Sequence, residues 1–219
     1  MWTEKEEAGL ALVPVFPLPE IALFPGGKLA LHIFEPRYRA MLADALAGAR
    51  LISVVRITDR NELDESGHPE IASIAGIGRI VTAESLPDGR ANIVLSGVAR
   101  VHLHELPFVP PYRRARALPI IPVEVRVGEA DRLALLSSVT SFLREVRKHD
   151  ESFDPNLELD APPEVLVDEI AQQLLVSPIA KQEALEELDL SARIALVLRE
   201  LAVQRRTLAL SDTVETFSN

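Results

Sequence analysis

The sequence predicts an α+β architecture, a small barrel of short strands interrupted by one helix and followed by a helical bundle. Three observations predict it. Twelve of the 16 prolines fall before Val123, where continuous helix is scarcely possible. The same half is filled by short apolar and β-branched runs bounded by Gly, Pro or Asp-rich turns. After Gly128 the apolar period changes from two to 3.6. With 219 residues, 47% of them hydrophobic, the composition is globular, and at this length folding buries roughly 70% of the surface the unfolded chain exposes. The expected divisions are a polar N-terminal tail over residues 1–11, a β-rich part over 12–127, a helical part over 128–210 and a C-terminal tail over 211–219.

In the first half, strands are expected over residues 12–15, 29–33, 51–57, 71–81, 91–95, 98–106 and 113–121. Pro25-Gly26-Gly27 reads as a turn delivering the chain into the second of them. One helix interrupts the strands. At Glu35-Pro36, proline takes a first-turn position where its missing N–H costs nothing; Tyr38, Met41, Leu42 and Ala45 then form an apolar stripe, and Gly48 is expected to close the helix in left-handed geometry. Gly76-Ile77-Gly78 lies inside a strand and reads as a bulge or tight corner. Pro87-Asp88-Gly89-Arg90 predicts a hairpin with a type I′ turn at Asp-Gly.

In the second half, Leu133, Leu136, Val139, Thr140, Leu143 and Val146 predict the stripe of a helix ending near Lys148. Residues 150–161 read as a polar connection long enough to be mobile. A helix follows Pro162-Pro163 with Leu166, Ile170, Ala171 and Leu174 inward. Ser177-Pro178 opens a short one to about Leu188, and Ser191 is expected to cap the last, in which Ile194, Val197, Leu198, Leu201 and Leu208 recur at three and four residues.

The charge is unevenly placed. Residues 1–127 carry 14 Lys+Arg and 15 Asp+Glu, residues 128–219 carry 9 and 18, so nearly all of the net −10 belongs to the helical part. Eight carboxylates stand in residues 149–170 with no Lys or Arg, a field that repels phosphate backbones. Residues 1–9 hold three glutamates and lack the basic flank and apolar stretch of a secretory signal. No apolar run approaches the ~20 residues of a membrane-spanning helix. A cytoplasmic protein without a membrane partner is expected.

No candidate chemistry survives inspection. The absence of cysteine excludes disulfide scaffolds and thiolate-ligated metal sites. Gly26-Gly27-Lys28 lacks the earlier glycine of a phosphate loop, where Ala22 stands, and its Ser or Thr, where Leu29 stands. His102 and His104 point to one face of a strand, spacing that suits two metal ligands, but no third ligand is apparent. Asp154, Asn156, Glu158 and Asp160 miss the glycine and final glutamate of an EF-hand, at Leu159 and Val165. No Gly-x-Ser-x-Gly is present. Catalytic, cofactor-binding and metal-binding residues are therefore not assigned, and no cofactor is expected. Tyr112, Arg114 and Arg116 would share one face of a strand, a stacking platform beside two guanidinium groups that suits single-stranded RNA; the alternative is a solvated face meeting carboxylates, which the net charge favours.

The stretch PVFPLPEIALFPGGKLALHIFEPRYRAMLADAL, residues 14–46, is distinctive. Phe16-Pro17-Leu18, Leu23-Phe24-Pro25-Gly26 and Leu31-His32-Ile33-Phe34-Glu35-Pro36-Arg37-Tyr38 resemble the opening of the LON domain, the N-terminal substrate-binding region of ATP-dependent Lon protease, which also occurs as stand-alone bacterial proteins. Ile74-Ala75-Gly76-Ile77-Gly78, Leu95-Ser96-Gly97-Val98-Ala99-Arg100-Val101, and Lys181-Gln182-Glu183-Ala184-Leu185-Glu186 with Arg193 extend the resemblance over about residues 12–208. It implies a PUA-like β pseudo-barrel followed by a helical bundle, and recognition of unfolded or flexible polypeptide, with an adaptor role for a separate protease or chaperone. Nothing in the 219 residues resembles the family's ATPase or serine–lysine protease module, so catalysis by this chain alone is not expected. Phe16, Leu18, Phe24, Leu31, Ile33 and Phe34 read as barrel core. Apolar groups on irregular, proline-rich segments are the physical candidates for peptide contact: Phe24, Pro25, Phe108, Val109, Pro110 and Tyr112.

Overall fold

The computed structural model describes residues 2–121 and 128–217, which fall into two compact units, Met1–Ile121 and Pro122–Asn219. The division expected after residue 127 lies outside the described residues. In the first unit α1 (Glu4–Ala11) precedes β1 (Val13–Leu18), β2 (Lys28–Ile33), α2 (Pro36–Ala47), β3 (Leu51–Leu63), β4 (Pro69–Ile71), β5 (Ile74–Ser85), β6 (Ala91–Glu105) and β7 (Arg114–Pro119). The strands run in the order β1-β7-β6-β5-β3, and a parallel pairing of β1 with β3 closes these five into a barrel. β4 extends β3 as a short hairpin, and β2 pairs with the first half of β6.

Two apolar clusters occupy the two faces of the closed sheet. The inner one takes residues from all five barrel strands, among them Val13, Val15, Leu51, Val55, Ile77, Val101 and Ala115. The outer one gathers Phe16, Ile52, Val54, Ile80, Ile93 and Leu95 against Tyr38, Met41, Leu42 and Ala45 of α2. β3 contributes to both clusters, so residues 51–55 are buried on both faces and read as an unbroken apolar run. α2 begins as expected, with Pro36 in its first turn.

Several local expectations are corrected. Residues 4–11 form a helix opened by a capping box between Thr3 and Glu6, Glu6 also pairs with Arg79, and Leu10 enters the inner cluster. The two strands expected over 91–95 and 98–106 are one, because Gly97 does not turn the chain; it makes room for the Phe24 carbonyl while β6 passes beneath. Residues 71–81 instead divide between β4 and β5. The β5–β6 connection is not type I′. A two-residue hairpin there would close on Pro87 and Arg90 with a bond in each direction, and Pro87 has no N–H for the second; Leu86 donates to the Arg90 carbonyl instead (2.8 Å), Gly89 N–H returns to Leu86, and of the two only Gly89 takes positive φ (80°). Left-handed geometry after α2 falls on Arg50 (φ 60°) rather than Gly48, held by its N–H to Ala45 O and its Nε to Ile80 O. Other expectations stand. Phe24 to Gly27 form a turn closed by a 3.0 Å bond with Gly26 at φ 79°, and the β5–β6 register shifts between Ile77 and Gly78.

The second unit contains α3 (Glu129–Val146), α4 (Pro163–Leu174), α5 (Pro178–Glu186) and α6 (Leu190–Phe217), with α6 touching each of the other three. The inward stripe of α3 is Leu135, Val139 and Phe142, one residue round from the expected stripe, so that the bulky phenyl group rather than Leu133 is buried. α4 buries Leu166, Ile170, Ala171 and Leu174 as expected, and Ser177 caps α5 through Ala180 N–H. α6 is capped by Asp189, not Ser191: Asp189 Oδ1 accepts Ala192 N–H at 2.8 Å. It continues to Phe217, into the stretch expected as a tail. Residues 150–161 form neither helix nor strand but are tethered, Arg147 donating to Phe153 O (3.2 Å) and Asp154 (3.0 Å), and Arg132 to Leu159 O (3.1 Å).

Candidate functional site

A groove of about 350 Å³ opens between the end of β1, the end of β2 with the first turn of α2, and the proline-rich segment before β7. Its floor belongs to the outer core: Phe16 and Tyr38 lie with ring centroids 4.4 Å apart at 57°, and Tyr112 joins them. Leu18, Leu31 and Phe34 form its walls. Phe34 is 58% exposed although its run reads as strand core, because β2 ends at Ile33 and Glu35 already caps the helix, leaving the side chain at the junction facing outward. The volume and apolar lining are those of a ligand cleft.

Charged groups stand at the rim, and one of the lining residues, Arg113, carries a buried charge. Arg37 lies over the Tyr38 ring at 4.5 Å and its Nε donates to Glu35 at 2.9 Å. Arg113 is buried but occupied, donating to Glu105 Oε2 and to Pro69 O, each at 2.8 Å. His32 Nδ1 lies 2.8 Å from Asn92 Oδ1. His68 meets Phe108 edge-on, centroids 4.3 Å apart.

The candidates named from sequence are distributed as follows. Phe24 is fully buried with its ring under Arg100 (5.5 Å), which removes it from any contact surface. Pro25 shapes the turn into β2 and does not line the groove. Phe108, Val109 and Pro110 are exposed beside the groove, next to Pro111, with Phe108 anchored on His68. Tyr112 lines the groove but only as floor, 3% exposed. Its hydroxyl donates to Asp44 and accepts from Arg114 (3.0 Å), whose guanidinium also covers the ring at 4.5 Å. Tyr112 therefore precedes β7 and is no open stacking platform, Arg114 is matched by Asp44 at 3.5 Å, and Arg116 alone stays exposed. The RNA face thus loses the geometry on which it was based. His102 and His104 are both exposed on β6, and no three His, Asp or Glu side chains converge as a metal site among the described residues. No helix there is long and apolar enough to cross a membrane. Sequence reasoning missed Leu18, Leu31 and Phe34 as groove walls; the signal available was the passage of the apolar run directly into Glu35-Pro36, where a strand face must end.

Burial pushes the Tyr112 phenol above the ordinary tyrosine range, the bond to Asp44 adds to the rise and Arg114 opposes it; burial likewise raises Tyr38. A raised value means that the neutral phenol is favoured in the fold. That stability is complete below the unfolded tyrosine value of about 10 and is lost as pH climbs through the raised one. These are the protein's 2 tyrosines. Phenolate absorbance is expected to rise later in the native than in the unfolded protein, and Tyr112→Phe to cost about 1 kcal/mol in chemical denaturation.

The sequence model of the ATP-dependent protease La (LON) substrate-binding domain matches residues 12–203. The Lon protease of Anaeromyxobacter dehalogenans is 30% identical over 94% of this chain, and Lon protease 2 of Sorangium cellulosum is 30% identical over 93%. This chain spans about a quarter of the length of those relatives (25% and 26%). Among solved structures, the N-terminal domain of Mycobacterium avium complex Lon protease superposes with a TM-score of 0.64 at 15% identity, covering 87% of this chain and 98% of that one. A Lon N-terminal domain protein from Xanthomonas campestris gives 0.64 at 20%, covering 86% and 97%. These likenesses show the fold.

Proposed function

The chain belongs to the family of the LON substrate-binding domain, and from that premise we propose that its groove binds unfolded or flexible polypeptide without catalysis, as a recognition adaptor for a separate protease or chaperone. The observation that carries this reading is the position of the groove: its walls and most of its floor are built from residues 16–18 and 31–38, two of the motifs that resemble the family. Apolar walls, with the one buried charge of the lining, Arg113, already matched by Glu105, suit side chains that a folded protein would bury. We read the five-strand barrel as PUA-like and the four helices as its bundle.

Fluorescence anisotropy against a labelled, chemically unfolded polypeptide tests the proposal. Saturable binding that survives added salt is expected. Phe34→Ala should weaken it about tenfold, equivalent to 1.4 kcal/mol, with folding stability changed by no more than about 0.5 kcal/mol. Unchanged affinity in that variant, or in Leu31→Asp, would place any binding elsewhere.

A further inference from the structure

β2 has one strand partner. It pairs with β6 from Lys28 opposite Ser96 to Ile33 opposite Ala91, without a register shift, and no strand pairs along its other edge among the described residues. Gly97 N–H donates to Gly27 O at 2.8 Å. Because hydrogen-bonded and open pairs alternate in an antiparallel ladder, the pairs Leu29–Leu95, Leu31–Ile93 and Ile33–Ala91 carry the bonds to β6. The N–H and C=O groups of Lys28, Ala30 and His32 then point to the free edge, and all three residues are exposed. Proteins normally blunt such an edge with proline, a bulge, a cover or a charged side chain, and of these β2 carries the charge of Lys28 at its start. β2 contains no proline, whereas the facing wall of the groove carries Pro17 and Pro19, which lack donors.

This open edge borders the apolar groove, since residues 31–34 line it. Beyond His32 the edge leads to the first turn of α2, which has no acidic residue and no side-chain cap and carries Arg37; Lys28 stands at the other end. Glu35 and Arg37 hold each other at 2.9 Å and Glu84 adjoins Ala30 and His32, while Lys28 has no ion pair among the described residues. The edge thus carries one exposed cation, Lys28, at the start of a row of alternating donors and acceptors. A peptide backbone matches that row in both roles, while a phosphodiester backbone accepts only.

We propose that the groove receives its polypeptide as an added β-strand on β2: an extended segment pairing with Lys28, Ala30 and His32, placing alternate apolar side chains against Leu31 and Phe34, and carrying a carboxylate side chain next to Lys28. This rests on the groove reading given above and assigns the backbone form and charge of what binds there. The six residues of β2 offer about 20 Å of edge, at about 3.3 Å per residue.

The test uses the full chain and a labelled eight-residue peptide that alternates leucine with threonine and ends in two glutamates. Two derivatives are N-methylated, one on every leucine amide and one on every threonine amide. Strand addition uses the amides of one parity only, so one derivative should lose at least tenfold in affinity and the other should bind like the parent. Replacing both glutamates by glutamine should weaken binding and flatten its salt dependence. Ala30→Pro, which removes an outward N–H, should reduce affinity at least tenfold with an unchanged Tm; should that variant fail to fold, the methylated pair still decides. If both derivatives bind like the parent, or single-stranded RNA displaces the peptide, strand addition is overturned. So it is if the parent fails while unfolded polypeptide still binds in a Phe34-dependent manner, an outcome that leaves the groove itself intact. Failure of every polypeptide to bind would remove both readings.

Discussion

Gly97→Ala is expected to destabilise the first unit by about 3 kcal/mol, at the upper end of overpacking costs, and to lower its Tm by roughly 10 °C. A Cβ at this position would lie 1.9 Å from the Phe24 carbonyl oxygen and 2.9 Å from its carbonyl carbon, both backbone atoms with nowhere to go. Phe24 is fully buried and the same segment is tied to β6 twice more, by Gly26 N–H to Gly97 O (3.0 Å) and Gly97 N–H to Gly27 O (2.8 Å). Relief must therefore move the turn that starts β2. Gly76→Ala meets the Leu23 carbonyl oxygen at the same 1.9 Å and should behave alike. Gly67→Ala is the control: its φ is +77° but nothing lies within 4 Å of the added atom, so only backbone strain of about 1 kcal/mol is expected. Differential scanning calorimetry of the three variants decides the matter, and equal losses would refute the close-approach account.

Arg193→Met should cost the helical unit about 3–5 kcal/mol. Arg193 and Asp168 are 6% and 3% exposed, Arg193 Nε lies 3.2 Å from Asp168 Oδ1, and Arg193 Nη1 donates to the Glu187 carbonyl at 2.7 Å. Deleting the cation leaves the carboxylate buried without its guanidinium, which is why a single replacement is more harmful than removal of the pair. Asp168→Leu combined with Arg193→Met should recover most of the loss. Thermal unfolding followed by far-UV circular dichroism provides the comparison; a single variant as stable as the parent would show that the pair contributes little.

What could be read in the sequence depended on how local its cause was. The Pro36 helix start, the Tyr38–Met41–Leu42–Ala45 stripe, the Ser177 cap and the bulge at Ile77–Gly78 arise within a few residues, and each appears as expected. The type I′ turn does not form because a two-residue hairpin around Asp-Gly would close through an N–H that Pro87, one position earlier, lacks. The break expected at Gly97 failed because the glycine answers to a carbonyl more than 70 residues away in the chain. The site obeyed the same logic. Phe24 and Tyr112 look like recognition groups on proline-rich segments, but Arg100 and the Asp44–Arg114 pair, distant in sequence, bury or cover them. Leu18, Leu31 and Phe34 were legible as apolar, not as walls, since only the approach of β1 to β2 creates the space between them.

The length of β6 has a kinetic consequence. Its 15 residues hold β2 through one half and complete the barrel through the other, so the acceptor edge cannot bend away without opening the closed sheet. An incoming chain then meets a surface that is already in its bound form. The ordering entropy of association falls on the guest alone, and differences among guests should appear as residence times rather than encounter rates.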